Sequence, residues 1–432
     1  MKKLIIGVVV LIVAYIGVLF FVKSNSQGVF AQEISELNKL PGVSASLVDE
    51  SGGLFSSSAN IALKDEMSQE TIVTLNQSQS YGPILFTEEG LKIGWYFLNT
   101  ELVFSDELKS EFPSDIDVDN LFDIHFFSGF SGAIEGDVYF KGLAFSKDGG
   151  ELNVSEGEMH VDTDMSFKEV VGGLNWPGIT FKEGDENGLS ISGVKMDFDQ
   201  QLISGNMLAG TALYQGGGSY SVDSISYRED YNFMQIDDMK AKFDSALAGE
   251  QKDALDASFE MSIASLNAMG EKYTDNAIKL YFKGLDLAVL EQFMEQTQKM
   301  QAAALEGMDV SAYQMQMMNT LMQLVQKGPS FQMKDTQIVT PDGAIKAQMD
   351  VVVDQSKVDA SNPMSLMMAT SAKFEAEGPE AFFNNKGLGP MIEQYSQINY
   401  VVKDNGTLRV NAAFENGQPL INGQPMQGMP GM

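Results

Sequence analysis

Apolar and polar residues alternate with period two along several stretches of the chain. Leu255, Ala257, Phe259, Met261 and Ile263 interleave with Asp256, Ser258, Glu260 and Ser262. Ile345, Ala347, Met349, Val351 and Val353 do the same against Lys346, Gln348 and Asp350, and Leu408, Val410, Ala412 and Phe414 against Arg409, Asn411 and Glu415. In a strand successive side chains point to opposite faces, so this pattern predicts antiparallel sheet with one buried and one solvated face. The phase slips between Leu152/Val154 and Met159/Val161, and an extra residue near Gly157 predicts a β-bulge there. Turn chemistry recurs at Lys147-Asp148-Gly149-Gly150, Gly216-Gly217-Gly218, Pro341-Asp342-Gly343 and Asp404-Asn405-Gly406, as a long meander requires.

One block follows a different rule. From Asp286 to Lys327 the apolar residues Leu290, Phe293, Met294, Met317, Leu321 and Leu324 recur at three- and four-residue spacing, which predicts two amphipathic helices separated at Met308–Ser311. Gly328-Pro329 ends them. A shorter helical stretch is expected around Pro379 to Tyr395, interrupted by Gly387 and Gly389. The last residues, Gly417 to Met432, are rich in Gly, Pro, Gln and Met without periodicity. Val138-Tyr139-Phe140-Lys141-Gly142-Leu143 is echoed by Leu280-Tyr281-Phe282-Lys283-Gly284-Leu285, a hint of duplicated strand units.

The N-terminus adds an element of its own. Lys2 and Lys3 precede an uncharged run from Leu4 to Val22, which as a helix rising ~1.5 Å per residue matches a hydrocarbon core of ~30 Å. The paired lysines predict a single-pass anchor in a bacterial inner membrane with the C-terminal bulk in the periplasm. A cleaved signal peptide ending at Val29-Phe30-Ala31 is the alternative. The expected fold is therefore mainly β with a helical insertion (α+β): an N-terminal transmembrane helix, then a long antiparallel, curved sheet with amphipathic helices packed on one face. Its expected parts are an anchor over 1–23, a β-rich region over 24–285, the Met-rich helical insertion over 286–327, a second β region over 328–415 and a flexible tail over 416–432.

Composition narrows the partners. With 28 Lys and Arg against 59 Asp and Glu, the net charge of −31 repels phosphate backbones and anionic headgroups, so nucleic acid is not expected and lipid contact falls to acyl chains. The absence of cysteine removes disulfides, thiolate metal sites and cysteine catalysis together.

The order of short motifs resembles the YdgA-like family of bacterial envelope proteins (domain of unknown function 945). The resemblance rests on Ser51-Gly52-Gly53-Leu54-Phe55-Ser56-Ser57-Ser58-Ala59, then Tyr81-Gly82-Pro83-Ile84-Leu85, and near the end Glu415-Asn416-Gly417 with Leu420-Ile421-Asn422-Gly423-Gln424-Pro425. Tyr81 stands where that family has a histidine before Gly-Pro, so no histidine role carries over. The resemblance implies an inner-membrane anchor and a periplasmic domain, and brings no catalytic residue with it.

Catalytic chemistry is sparse. The two histidines, His125 and His160, have no second histidine at metal-ligand spacing and read as structural strand residues. Asp115, Asp117 and Asp119 imitate the start of a calcium loop, but Asn120 replaces its turn glycine and Phe126 its bidentate Glu, leaving the wet face of a short strand. No serine elbow, phosphate loop or zinc-protease motif occurs, so neither an enzyme nor a cofactor is expected. The 26 methionines, with Met315, Met317, Met318 and Met322 close together, suit either core or an adaptable apolar surface. The expected function is binding or shielding of apolar ligands such as lipid acyl chains in envelope maintenance, on a face holding Leu290, Phe293, Met294, Met317, Leu321 and Leu324. The alternative is a non-enzymatic scaffold or assembly factor acting as a homodimer.

Overall fold

The computed structural model describes Ile34, Leu37, Asn38 and residues 43–426, apart from 54, 66–67, 88–89, 111, 114–115, 148, 165–167, 185–186, 206–210, 230–231, 269, 306–307 and 360–361. The chain divides into two compact units, residues 1–214 with 301–308, and residues 215–300 with 309–432. The first unit begins with β1 (Val43–Gly52), β2 (Ser56–Asp65) and β3 (Thr71–Tyr81), followed by a small hairpin of β4 (Leu85–Thr87) and β5 (Gly90–Lys92). Then come β6 (Tyr96–Phe104), α1 (Asp106–Ser110), β7 (Phe122–Ser128), β8 (Ala133–Phe140), β9 (Leu143–Lys147), β10 (Gly150–Val154), β11 (Gly157–Asp164), β12 (Glu169–Glu183) and β13 (Asn187–Ser204). Antiparallel pairing runs β1, β2, β3, β6, β7, β8, β11, β12, β13, with β9 and β10 paired beside β12.

Period-two alternation places the core on one face of this sheet. Ile61, Leu63, Val73, Leu75, Leu98, Leu102, Ile124, Phe126 and Ile134 are buried there, each worth ~1.5–3 kcal/mol of transfer free energy. Register sets Phe126 opposite Gly136, and a Cβ at residue 136 would stand 2.5 Å from the Phe126 ring. Glycine is what lets that ring, fully buried, lie flat across the neighbouring strand.

From β14 (Leu213–Glu229) onward the chain is again a meander: β15 (Asn232–Ala248), β16 (Ala254–Ala268) and β17 (Glu271–Asp286), all antiparallel neighbours. Two helices follow, α2 (Leu287–Leu305) and α3 (Ser311–Gln326), and β18 (Ser330–Thr340) and β19 (Gly343–Val353) resume the sheet beside β17. After α4 (Pro363–Ala369) come β20 (Thr370–Pro379), α5 (Glu380–Asn385), α6 (Gly389–Gln397), β21 (Val402–Asp404) and β22 (Thr407–Glu415). Where a loose tail is expected, β23 (Gln418–Ile421) and β24 (Gln424–Pro425) extend the pairing of β22; residues 427–432 lie outside the described residues.

Register carries one apolar row through the second unit, Phe243, Phe259, Leu280, Met333, Met349 and Phe374, each directly opposite the next. These side chains are half-buried at best, and Phe243 and Phe259 expose more than a third of their surface.

Three expectations are corrected. The fold with an N-terminal transmembrane helix, and with it the inner-membrane location, does not hold: among the described residues no helix is long and apolar enough to cross a membrane, and the structure is mostly antiparallel sheet with few helices. The proposed anchor at Leu4–Val22 and the alternative cleavage site at Val29–Ala31 lie outside the described residues. The phase slip near Gly157 is no bulge within one strand but a break at Ser155–Glu156, where β10 ends and β11 begins, both paired with β12. The run after Ile116 is no strand either. Val118–Asn120 forms a 3₁₀ turn that buries Val118, while Asp119 accepts from the Phe104 backbone N–H at 2.9 Å and pairs with Lys109 at 2.5 Å. Asp115 lies outside the described residues.

Candidate functional site

At one end of the first unit, the loops joining β1 to β2, β3 to β6 and β7 to β8 come together. Backbone hydrogen bonds lace them: Tyr81 N–H donates to Phe55 O (2.7 Å), Gly82 N–H to Trp95 O (3.2 Å) and Trp95 N–H to Ser128 O (2.9 Å). Beneath them Gln79, 2% exposed, accepts from Ser57 Oγ at 3.1 Å and from the Tyr81 hydroxyl, so this buried amide oxygen is satisfied internally. The excursion between β3 and β6 is pinned by Leu85, which is fully buried.

The outward side of this loop end is apolar. Phe55, Ile84, Phe86, Leu91, Ile93, Trp95 and Phe130 are all between 51% and 78% exposed. Phe86 and Leu91 sit directly opposite each other on the β4–β5 hairpin, and Trp95 meets Phe130 edge-on with ring centroids 5.0 Å apart. Lys92 lays its ammonium over the rings of Phe97 and Phe127, 5.4 Å from each centroid. Single exposed apolar side chains are ordinary on a protein surface, whereas here seven large ones are carried on loops bonded to one another. Gly53 and Phe55 from one motif of the resemblance and Tyr81–Leu85 from another frame it.

The two histidines meet on the face of the same sheet opposite the Phe126 core. Register puts His125 opposite Asp137 and Asp137 opposite His160. Asp137 Oδ1 is 2.6 Å from His160 Nδ1 and its Oδ2 is 3.5 Å from His125 Nε2; Asp162 and Asp123 close the two ends at 3.0 and 3.4 Å. His125 is buried between the rings of Phe97 and Tyr139. Its hydrogen bond, reinforced by His160, holds the Asp137 carboxyl below its ordinary range against the opposing effect of burial. For His160 burial disfavours the charged ring, but the hydrogen bonds with Asp137 and Asp162 outweigh it and raise the pKa. Among the described residues no group of His, Asp and Glu is arranged to hold a metal.

The chain matches, over residues 1–428, a family described as bacterial protein of unknown function (DUF945). It belongs to that family. No curated protein and no solved structure matches the chain. Family membership thus fixes no activity, and the residues must speak for themselves.

The face expected from helical spacing is only partly presented. Leu290, Phe293, Met294, Met317 and Leu324 are half-buried, and of the six only Leu321 is exposed, at 39%. The outward apolar stripe of α3 lies a few positions round, at Met315, Met318 and Met322, one turn or two apart. Thr320, buried at 1%, donates to Gln296 Oε1 at 2.8 Å and ties α3 to α2, while Lys327 pairs with Asp286 at their base. Sequence reasoning missed the loop end, because Ile84, Phe86, Leu91 and Trp95 look like buried strand residues until topology shows the strands ending there.

Proposed function

We propose that this protein is a non-enzymatic lipid-binding protein that takes acyl chains against the apolar loop end of its first unit. The observation carrying this reading is the set of seven large apolar side chains, Phe55 to Phe130, exposed together on hydrogen-bonded loops. A net charge of −31 sets the protein against anionic headgroups, so the favourable contribution must come from apolar burial and from Trp95, whose amphipathic ring suits the boundary between headgroup and hydrocarbon. The half-exposed row from Phe243 to Phe374 supplies further apolar surface of the same character. The test is co-sedimentation with zwitterionic phosphatidylcholine vesicles. Binding that persists in high salt supports the reading; no binding, or binding only to anionic vesicles and abolished by salt, overturns it.

A second reading, a homodimeric scaffold, is favoured by the exposed Met315, Met318, Leu321 and Met322 on α3. Sedimentation equilibrium decides it, since a monomer at tens of micromolar removes the case for pairing.

A further inference from the structure

The second unit contains a groove with the opposite character. Its volume is about 730 Å³, and it lies across β17, β18, β19, β20 and β22. Its charged lining is Lys279, Lys346 and Arg409 with Asp335, Glu375 and Glu377: three cations and three carboxylates, a neutral patch in a chain of net charge −31. No aromatic and no large aliphatic side chain lines it, so an acyl chain finds no partner here.

The backbone bends to make this concavity. The pairing of β17 with β18 slips twice, between Thr274 and Lys279, and that of β18 with β19 slips between Met333 and Thr336. Asp275 and Asp335 both take left-handed φ, +47° and +46°, at these slips. Bulges bend a strand and re-aim its side chains, and they concentrate beside functional sites. Here the second slip brings the Asp335 carboxylate to 3.4 Å from Lys279 at the groove's side.

Register orders the remaining charges. Lys346 stands opposite Glu377, and Glu377 opposite Arg409, which bonds it at 3.4 Å and Asp404 at 3.1 Å. Glu375 accepts from Gln348 Nε2 at 2.6 Å. Lys346 has no ion-pair partner among the described residues. The diagonal from Lys346 to Glu375 on adjacent strands is ~7–8 Å between backbones. A di- or tripeptide at ~3.5 Å per residue has ends ~7–10 Å apart.

We propose that this groove binds a short peptide with free termini, its carboxylate on Lys346 and its ammonium on Glu375. Gln348, opposite Glu375, is the amide beside this diagonal, and Gln337 opposite Lys346 and Asn411 opposite Glu375 flank it on the outer strands as partners for the peptide backbone. This site is independent of the lipid reading. Isothermal titration calorimetry of the whole chain with trialanine tests it. Saturable binding is expected, weakened about tenfold or more by Lys346→Ala and by Glu375→Gln, because each removes one charge-assisted contact. N-acetyl-trialanine amide, which has neither charge, should give no measurable binding. Both substituted residues are exposed, and circular dichroism checks that the variants keep the wild-type sheet. The proposal is overturned if wild type gives no saturable heat with trialanine at millimolar concentration, if the blocked peptide binds as well, or if both variants bind like wild type.

Discussion

Phe86→Asp separates surface from core more sharply than any other change at the loop end. Phe86 is 78% exposed. An aromatic side chain offers ~150–250 Å² for burial, so its exposed part amounts to ~120–200 Å², worth ~3–5 kcal/mol at ~25 cal/mol per Å² if it left water entirely. Insertion to half that depth gives about 2 kcal/mol, or roughly thirtyfold in partition, before the cost of burying a carboxylate is added. The same substitution should leave folding within about 0.5 kcal/mol, because an exposed side chain has few contacts to lose. Leu85 is the internal control. It is fully buried next door, and Leu85→Ala should cost about 2–5 kcal/mol of stability. Vesicle co-sedimentation and thermal denaturation on the same samples read both quantities. A Phe86→Asp protein that melts as wild type yet partitions as wild type would refute the assignment, as would one that simply unfolds.

Three further outcomes follow from the geometry. Leu321→Asp should lower stability by less than about 1 kcal/mol in a denaturant titration, since Leu321 is 39% exposed; a loss of several kcal/mol would put this stripe in the core. Gly136→Ala should destabilise by about 1–3 kcal/mol, because the new methyl meets the buried Phe126 ring, and unfolding no different from wild type would contradict that packing. The raised pKa of His160 stabilises the fold fully below the ordinary histidine value of about 6.5 and is lost as pH rises through the higher folded value, while the lowered pKa of Asp137 stabilises above about 3.9 and is lost as pH falls through its folded value. Asp137→Asn should therefore flatten the fall in melting temperature as pH rises above about 6.5, and an unchanged slope would dissociate the His–Asp–His chain from stability.

Much of the sheet was legible because alternation follows directly from strand geometry. The runs at Leu255–Ile263, Ile345–Val353 and Leu408–Phe414 lie on β16, β19 and β22, and the two helices of the Met-rich stretch fall where three- and four-residue spacing put them. The candidate site was much less legible. Neighbours Ile84, Leu85 and Phe86 are all large and apolar, yet only Leu85 turns inward, and that depends on where β3 and β6 stop. Likewise His125 and His160 are distant in sequence, and only the register of β7, β8 and β11 brings both to Asp137. The hairpin turn at Gly129–Gly132 was the available signal, since it pairs residue 125 with residue 137. Helical spacing gave Met317 and Leu324, the half-buried residues of α3, whereas the outward methionines lie about a third of a turn round the helix.

The most direct test of lipid binding at the loop end uses Trp95. The chain has two tryptophans, and with Trp176→Phe the emission reports Trp95 alone. On addition of phosphatidylcholine vesicles brominated along their acyl chains, Trp95 emission should shift to the blue, be quenched by bromine and lose its accessibility to aqueous iodide. Emission that stays red, unquenched by bromine and open to iodide would contradict the assignment of this surface to acyl chains.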